Sequence, residues 1–171
     1  SSNLVKVSLK MAVYLIDKAD PEIKEALADS FLNEAIQNGS TDLVEFLFNK
    51  NPPKDKVLFD AVSSNDIETV NIVLKYNSKP SFINQISPTG TALNIAVMNN
   101  NLPIVKRLLS IPEIDPNLYE KENSTPIISA VSNLNIEMVN VLLDYYGDEI
   151  QSQMWQVNDA LKKILRKLSN N

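Results

Sequence analysis

Because the chain contains no histidine and no cysteine, we take its carboxylates as the candidates for acid–base chemistry. Two close pairs occur, Glu113 with Asp115 and Glu120 with Glu122. Paired carboxylates can act as general acid and general base. The missing residue types exclude a thiol nucleophile, a Ser–His triad and a zinc site built from Cys and His. No Ser–Lys spacing stands out, so the carboxylate pairs carry the enzymatic alternative.

The composition also excludes several classes of ligand. The chain has 3 glycines, too few for a Gly-rich phosphate loop. Its formal net charge is −5, whereas a nucleic-acid-binding chain needs a basic surface. The longest apolar run covers residues 11–16, far short of the ~20 residues of a membrane helix. We therefore expect no nucleic acid, no membrane span, no metal and no cofactor.

A basic amphipathic segment near the end of the chain contains Lys162, Lys163, Arg166 and Lys167. Such a segment is typical of a membrane surface or of a calmodulin-like partner. It is also, and more often, a capping helix whose cations lie at its negative C-terminal end. Trp155 nearby can be an interface anchor or partly buried packing. We favour the capping helix and the packing role.

The elements that must position these residues recur along the chain. In each copy an alanine is followed nine residues later by a valine, and then by two adjacent apolar residues. The copies begin at Ala35, Ala61, Ala96 and Ala130, which lie 26, 35 and 34 residues apart. Each copy predicts two short helices, the first exemplified by Pro126 to Ser132 and the second by an apolar stripe of helical spacing. The clearest stripes are Leu102, Val105, Leu108 and Leu109, and Ile136, Val139, Leu142 and Leu143.

The turn between the two helices of a copy needs a residue that tolerates positive φ. Gly39, Asn65 and Asn100 occupy this position in three copies, and Gly and Asn are the residues that adopt it most cheaply. Leu134 occupies it in the fourth copy. We therefore expect that turn to be either strained or built differently.

The helix starts are predicted by hydroxyl residues. Thr125 precedes Pro126 and Thr91 precedes Ala92, so both threonines are predicted caps, and Ser30 takes the capping position of the first copy. Polar, turn-rich stretches at 87–90 and 120–124 come before the two threonines. The corresponding stretch at 51–55 is too short for the same loop.

This combination of spacing, cap, turn residue and stripe resembles the ankyrin repeat, a unit of about 33 residues with a β-turn finger and two antiparallel helices. The family motif Thr-Pro-Leu-His-x-Ala is similar to residues 125–130 (Thr-Pro-Ile-Ile-Ser-Ala), and more loosely to residues 91–96. Asn94 stands where the family has its histidine, whose role is structural. The resemblance covers residues 30–146 and implies an all-α solenoid of about four helix-pair repeats.

The two ends depart from this pattern. Leu15 lies 32 residues before Leu47, and residues 3–30 are interpreted as a degenerate N-terminal repeat that covers the stack. Residues 148–169 are predicted to form a C-terminal capping helix. Terminal units of a solenoid must be atypical, because an internal repeat leaves an apolar face open. We expect a single domain over residues 1–171.

The resemblance implies a non-catalytic module that binds a protein through its concave face, formed by the fingers and the first helices. The carboxylate pairs then fall in finger or turn segments, where polar, solvated residues are expected. Met98 is the most suggestive contact residue, because this position is usually polar. The residues transferred by position are Gln37, Asn38, Ser63, Ser64, Ser87, Pro88, Thr89, Met98, Asn99, Lys121, Glu122, Ser124, Ser132 and Asn133.

The partner that this interpretation implies is a protein of unknown identity, bound by a monomeric chain. The first residues lack a signal-peptide pattern, so we expect an intracellular, cytoplasmic location. The alternative is an architectural spacer that positions a neighbouring domain. The two differ because an interaction module captures a partner on its own, whereas a spacer does not.

Overall fold

The computed structural model describes residues 8–118 and 125–147 and, further along, residues 157–159, 162 and 166. Within this part of the chain, helices joined by tight turns dominate, as expected for an all-α repeat protein. No described helix is long and apolar enough to cross a membrane. The chain divides into two compact units, residues 1–78 and 79–171, which are taken separately below. A single domain over the whole chain stays a prediction.

The first unit consists of successive helices in which first and second helices alternate. They are α1 (Leu9–Lys18), α2 (Pro21–Asn38), α3 (Thr41–Lys50), α4 (Val57–Ser63) and α5 (Ile67–Tyr76). Helices α2 and α3 form one pair and α4 and α5 the next, while α1 contacts α3 and α3 contacts α5.

Helix α2 is longer than its repeat predicts. It begins with Pro21 in its first turn and ends at Gly39, whose φ of 63° places it in the left-handed region. Ser30 lies inside α2, so the predicted cap at Ser30 is wrong. The preceding residues are good helix formers without a break, so the helix simply runs on through this serine.

The stretch that replaces a finger in the first unit is held by ion pairs. Lys54 Nζ lies 2.8 Å from a Glu25 carboxylate oxygen and 3.0 Å from one of Asp29, both on α2. Hydrogen bonds to these carboxylates, Glu25 first, raise the pKa of Lys54. Because all three side chains are exposed, the pairs orient the loop more than they stabilise the fold.

The second unit contains a β-hairpin and two further helix pairs. Its described elements are α6 (Pro80–Ile83), β1 (Ile86–Ser87), β2 (Gly90–Thr91), α7 (Ala92–Met98), α8 (Leu102–Leu109), α9 (Pro126–Ser132) and α10 (Ile136–Tyr146). Helices α7 and α8 form one pair, α9 and α10 form the next, and α7 contacts α9. The range of α9 confirms the predicted first helix.

The turns between paired helices have the predicted backbone. Asn65 has a φ of 59° and Asn100 a φ of 55°, like Gly39 in the left-handed region. Leu134 also adopts it, with a φ of 55°. Its turn therefore has the same geometry as the others, and the side chain of Leu134 makes it a strained one.

The predicted stripes of the second helices are confirmed in part. On α10 the predicted Leu142 is buried, together with Met138 and Tyr146, whereas the predicted Ile136 and Leu143 are exposed. Residues four apart lie on one side of a helix, while Ile136 lies two positions before Met138 and points about 200° away. On α8 the predicted Val105 and Leu108 are buried, which confirms half of that stripe, whereas Ile104 is buried in addition and Leu102 and Leu109 are half-buried.

The helix caps are confirmed in part. Thr91 Oγ1 accepts a hydrogen bond of 3.1 Å from the backbone N–H of Asn94 at the start of α7. Thr125 occupies the N-cap position of α9 with extended backbone, but its side chain makes no cap hydrogen bond. The predicted N-cap position of Thr125 is therefore confirmed, although its hydroxyl does not cap the helix.

Near the end of the chain the structure describes residues 157–159, 162 and 166, and all of them are helical. Trp155, Lys163 and Lys167 lie outside the described residues.

Candidate functional site

The finger of the second unit is the hairpin of β1 and β2, in which Ser87 pairs with Gly90. Ser87 Oγ donates a hydrogen bond of 2.7 Å to the Gly90 carbonyl and accepts one of 3.3 Å from the Thr89 N–H. Because these bonds use the hydroxyl within the hairpin, Ser87 stiffens the finger. Pro88 and Thr89 remain exposed at its tip.

The finger is fixed against the first turn of α7. Gly90 has a φ of 106°, and a β-carbon at this residue would lie 3.1 Å from the β-carbon of Asn94. Asn94 itself is buried, so the finger and the helix meet without space between them. This close approach requires glycine and sets where Pro88 and Thr89 lie relative to α7.

Met98, the last residue of α7, is exposed to solvent. Every earlier residue of this helix is buried, whereas the Met98 side chain is 58% exposed. Asn99 follows it and is exposed too. Ser132 and Asn133 hold the equivalent positions at the end of α9, where both are exposed. Since α7 and α9 contact each other, these four residues lie at adjacent helix ends.

Leu134 extends this group, although the sequence prediction did not include it. Its side chain is 61% exposed. Asn135 Nδ2 donates a hydrogen bond of 3.1 Å to Asn100 Oδ1, which places the turn of Leu134 beside the turn that follows Met98. The sequence signal that could have identified Leu134 is an apolar residue at the turn position where the other copies have Gly or Asn. The turn edge is defined here as Met98, Asn99, Ser132, Asn133 and Leu134.

The contact residues predicted in the first unit occupy the equivalent helix ends. Gln37 and Asn38 end α2, and Gln37 is exposed while Asn38 is half-buried. Ser63 ends α4 and is exposed, and Ser64 donates a hydrogen bond of 2.8 Å to the Ala61 carbonyl. The contact between α2 and α4 brings these helix ends together. A continuous strip across both units stays a prediction.

The carboxylates singled out in the sequence are turn residues where the structure describes them. Glu113 and Asp115 are exposed, and Asp115 Oδ1 accepts a hydrogen bond of 2.9 Å from the Asn117 N–H. Asp115 thus orders the turn after α8. The described part of the chain contains no cluster of three or more potential metal-ligating side chains. The remaining candidates, Glu120, Lys121, Glu122 and Ser124, lie outside the described residues.

Replacing Leu134 by asparagine is expected to stabilise the protein by about 1 kcal/mol, because asparagine adopts the left-handed conformation more cheaply than leucine. Asn65 and Asn100 already do so in this chain. Denaturant unfolding measures the change. Leu134→Ala is the matched control, since it shortens the side chain but keeps the strained β-carbon. An equal gain in both variants would show that strain is not the cause.

Comparison with known proteins identifies the family to which the repeats belong. Residues 58–154 match a family model of ankyrin repeats in 3 copies. A fowlpox virus (strain NVSL) protein named for its ankyrin repeats is 30% identical over 138 residues, which cover 74% of this chain. Alpha-latrocrustotoxin-Lt1a of Latrodectus tredecimguttatus is 30% identical over 141 residues, also 74% of the chain. The human transient receptor potential cation channel subfamily A member 1 is 32% identical over 97 residues, 56% of the chain.

The relatives are much longer than this chain. The matched region is 31% of the fowlpox virus protein, 10% of the latrocrustotoxin and 8% of the cation channel. The chain thus spans less than a third of each relative.

Proposed function

Because the chain belongs to the ankyrin-repeat family, we propose that it binds a protein partner through its finger and the turn edge. Ankyrin repeats are generally protein–protein interaction modules and are typically not catalytic. The proposed binding face combines the finger tip with the ends of the first helices. In the first unit the corresponding residues are Gln37, Asn38, Ser63 and Ser64.

The observation that carries the proposal is the pair of exposed apolar side chains on the turn edge. Met98 and Leu134 leave more than half of their surface in water, at 58% and 61%. Leu134 also has a strained backbone. Neither the exposure nor the strain benefits the isolated fold, and strained or exposed apolar positions are typical of binding sites.

The polar part of the turn edge fits a protein interface as well. Asn99, Ser132 and Asn133 carry amide and hydroxyl groups and no charge. Protein interfaces have an apolar centre, depleted of charge, inside a polar rim. The proposed partner surface therefore has an apolar side chain facing Met98 and Leu134, and hydrogen-bonding groups around it.

The proposal takes the chain to be a monomer in the cytoplasm that binds protein rather than nucleic acid. The net charge of −5 supports this last point, since phosphate binding needs a basic surface. The candidates Lys121, Glu122 and Ser124 lie outside the described residues and belong to the same proposed face by their position in the sequence.

The substitution Met98→Arg tests the face. It is expected to change the free energy of unfolding by less than ~0.5 kcal/mol, because the residue is exposed. It should weaken partner binding at least tenfold, roughly 1.4 kcal/mol, because an arginine places an unpaired charge in the apolar centre. The matched control is Glu137→Arg on α10, which also adds a cation at an exposed position outside the turn edge.

The measurement is affinity capture from a lysate of the native host with three baits: the unchanged chain, Met98→Arg and Glu137→Arg. The expected result is a protein retained by the unchanged chain and by Glu137→Arg but lost with Met98→Arg. A partner lost with Glu137→Arg alone would place the interface elsewhere. Capture of no protein by any bait would favour the spacer function instead.

A further inference from the structure

Helix α1 has two apolar faces, and one of them lacks a neighbour among the described residues. Ala12 and Ile16 are buried and face the rest of the first unit. Met11, Tyr14 and Leu15 form a second stripe, at the i, i+3 and i+4 spacing of one helix face, and all three are exposed.

The register of the repeats shows what this second stripe normally does. Residues 9–18 correspond to residues 41–50 of α3 at a spacing of 32, so Met11 matches Leu43 and Leu15 matches Leu47. Met11 is 52% exposed and Leu43 2%, while Leu15 is 39% exposed and Leu47 7%. The same two positions are thus covered in one second helix and open in the other.

The surroundings of the two helices explain the difference. Helix α3 contacts α1, α5 and also α2, the first helix that precedes it through the turn at Gly39 and Ser40. Helix α1 contacts α2 and α3, both of which follow it in the chain. On its preceding side α3 has its own first helix, α2, and the second helix α1, and the described surroundings of α1 contain a counterpart of neither. The contact of α3 with its first helix is the more extensive of the two.

We propose that Met11, Tyr14 and Leu15 are the seat of a preceding ankyrin-type first helix. Helix α1 is then the second helix of a repeat whose first helix packs on this face. This departs from the expectation that residues 3–30 cover the stack. A terminal cap has a polar outer face, whereas this outer face carries three large apolar side chains.

The occupant is an amphipathic helix rather than a second copy of the chain. Three partly exposed side chains offer much less than the roughly 800 Å² per partner that a stable dimer interface buries. A first helix needs less area, because it is joined to its second helix through the chain, as α2 is joined to α3 through Gly39 and Ser40.

The test supplies α1 with a first helix in the register that α3 already has. A second copy of residues 21–40 is inserted between Ser8 and Leu9, so that the duplicated Gly39–Ser40 turn leads directly into α1. The variant Leu15→Gln is then made in the original and the extended chain. Lys10→Gln is the matched control, because the residue that corresponds to Lys10 on α3 is the exposed Asp42.

The expected results are a higher helix content by circular dichroism in the extended chain and protection of Met11 from oxidation by hydrogen peroxide. Leu15→Gln should lower the folding equilibrium constant at least tenfold more in the extended chain than in the original, while Lys10→Gln has the same small effect in both. Equal effects of Leu15→Gln in the two chains would overturn the proposal. So would an inserted segment that adds no helix, or a dimer of the original chain that Leu15→Gln disperses.

Discussion

Replacing Leu108 by alanine is expected to lower the free energy of unfolding by about 2–5 kcal/mol. Leu108 is fully buried on α8, so the substitution loses the transfer free energy of the removed atoms and leaves a cavity. Each repeat is stabilised mainly by its neighbours, so damage to one repeat uncouples those on either side. The thermal transition should therefore broaden or split as well as shift.

Scanning calorimetry on Leu108→Ala and on Leu109→Ala measures the midpoint and the width of the thermal transition. Leu109 follows Leu108 on α8 and is half-buried, so its truncation should cost clearly less. A melting curve of Leu108→Ala within ~2 °C of the original would contradict the buried position of this side chain.

Substitution of Gly90 by alanine is expected to destabilise the second unit by about 1–3 kcal/mol, the cost of a residue held in a sparsely populated backbone region. Its φ of 106° lies beyond the left-handed region that asparagine and leucine occupy in the other turns. The new β-carbon would also press on Asn94 from 3.1 Å. The finger should move away from α7, which lowers protection of the finger amides in hydrogen exchange.

Gly39→Ala is the matched control for this prediction. Gly39 has a φ of 63°, and the nearest atom to its added β-carbon would be a carboxylate oxygen of Asp66 at an ordinary 3.5 Å. The substitution of Gly39 therefore adds the free-energy cost of a left-handed backbone but no steric conflict. If denaturant unfolding gave Gly90→Ala the smaller cost of the two, the close contact between finger and helix would not be important for stability.

The features that the sequence predicted well depend on local rules. Gly39, Asn65 and Asn100 were identified because few residue types tolerate positive φ, whatever surrounds them. The periodic alanines located the helix pairs for a similar reason, since the same spacing recurs four times. The range of α9 was correct to the residue.

The features that it missed depend on packing between elements. Serine is favoured at a helix cap and also occurs inside helices, so the residues around Ser30 determine which of the two positions it takes. Here they extend α2 through Ser30. The stripe of α10 was misassigned because Ile136, Val139 and Leu143 are as apolar as the residues that are buried. Which apolar residues face the core depends on the rotation of the helix against its neighbours.

The candidate site was predictable to a similar extent. The exposure of Met98 follows from its position at the end of a first helix, which the repeat pattern supplies. Leu134 was not predicted as a contact residue, because strain and apolar exposure both argue against leucine at a turn. The contact between α7 and α9 and the hydrogen bond between Asn135 and Asn100 place it beside Met98.

The helix-to-helix contacts within each unit also bear on the speed of folding. They join elements that are adjacent or next but one along the chain, such as α2 with α3, α3 with α5 and α7 with α9. Short sequence separations keep the entropic cost of loop closure small, and domains with such local contacts fold within microseconds to milliseconds. Each helix pair can therefore begin folding before distant parts of the chain have met.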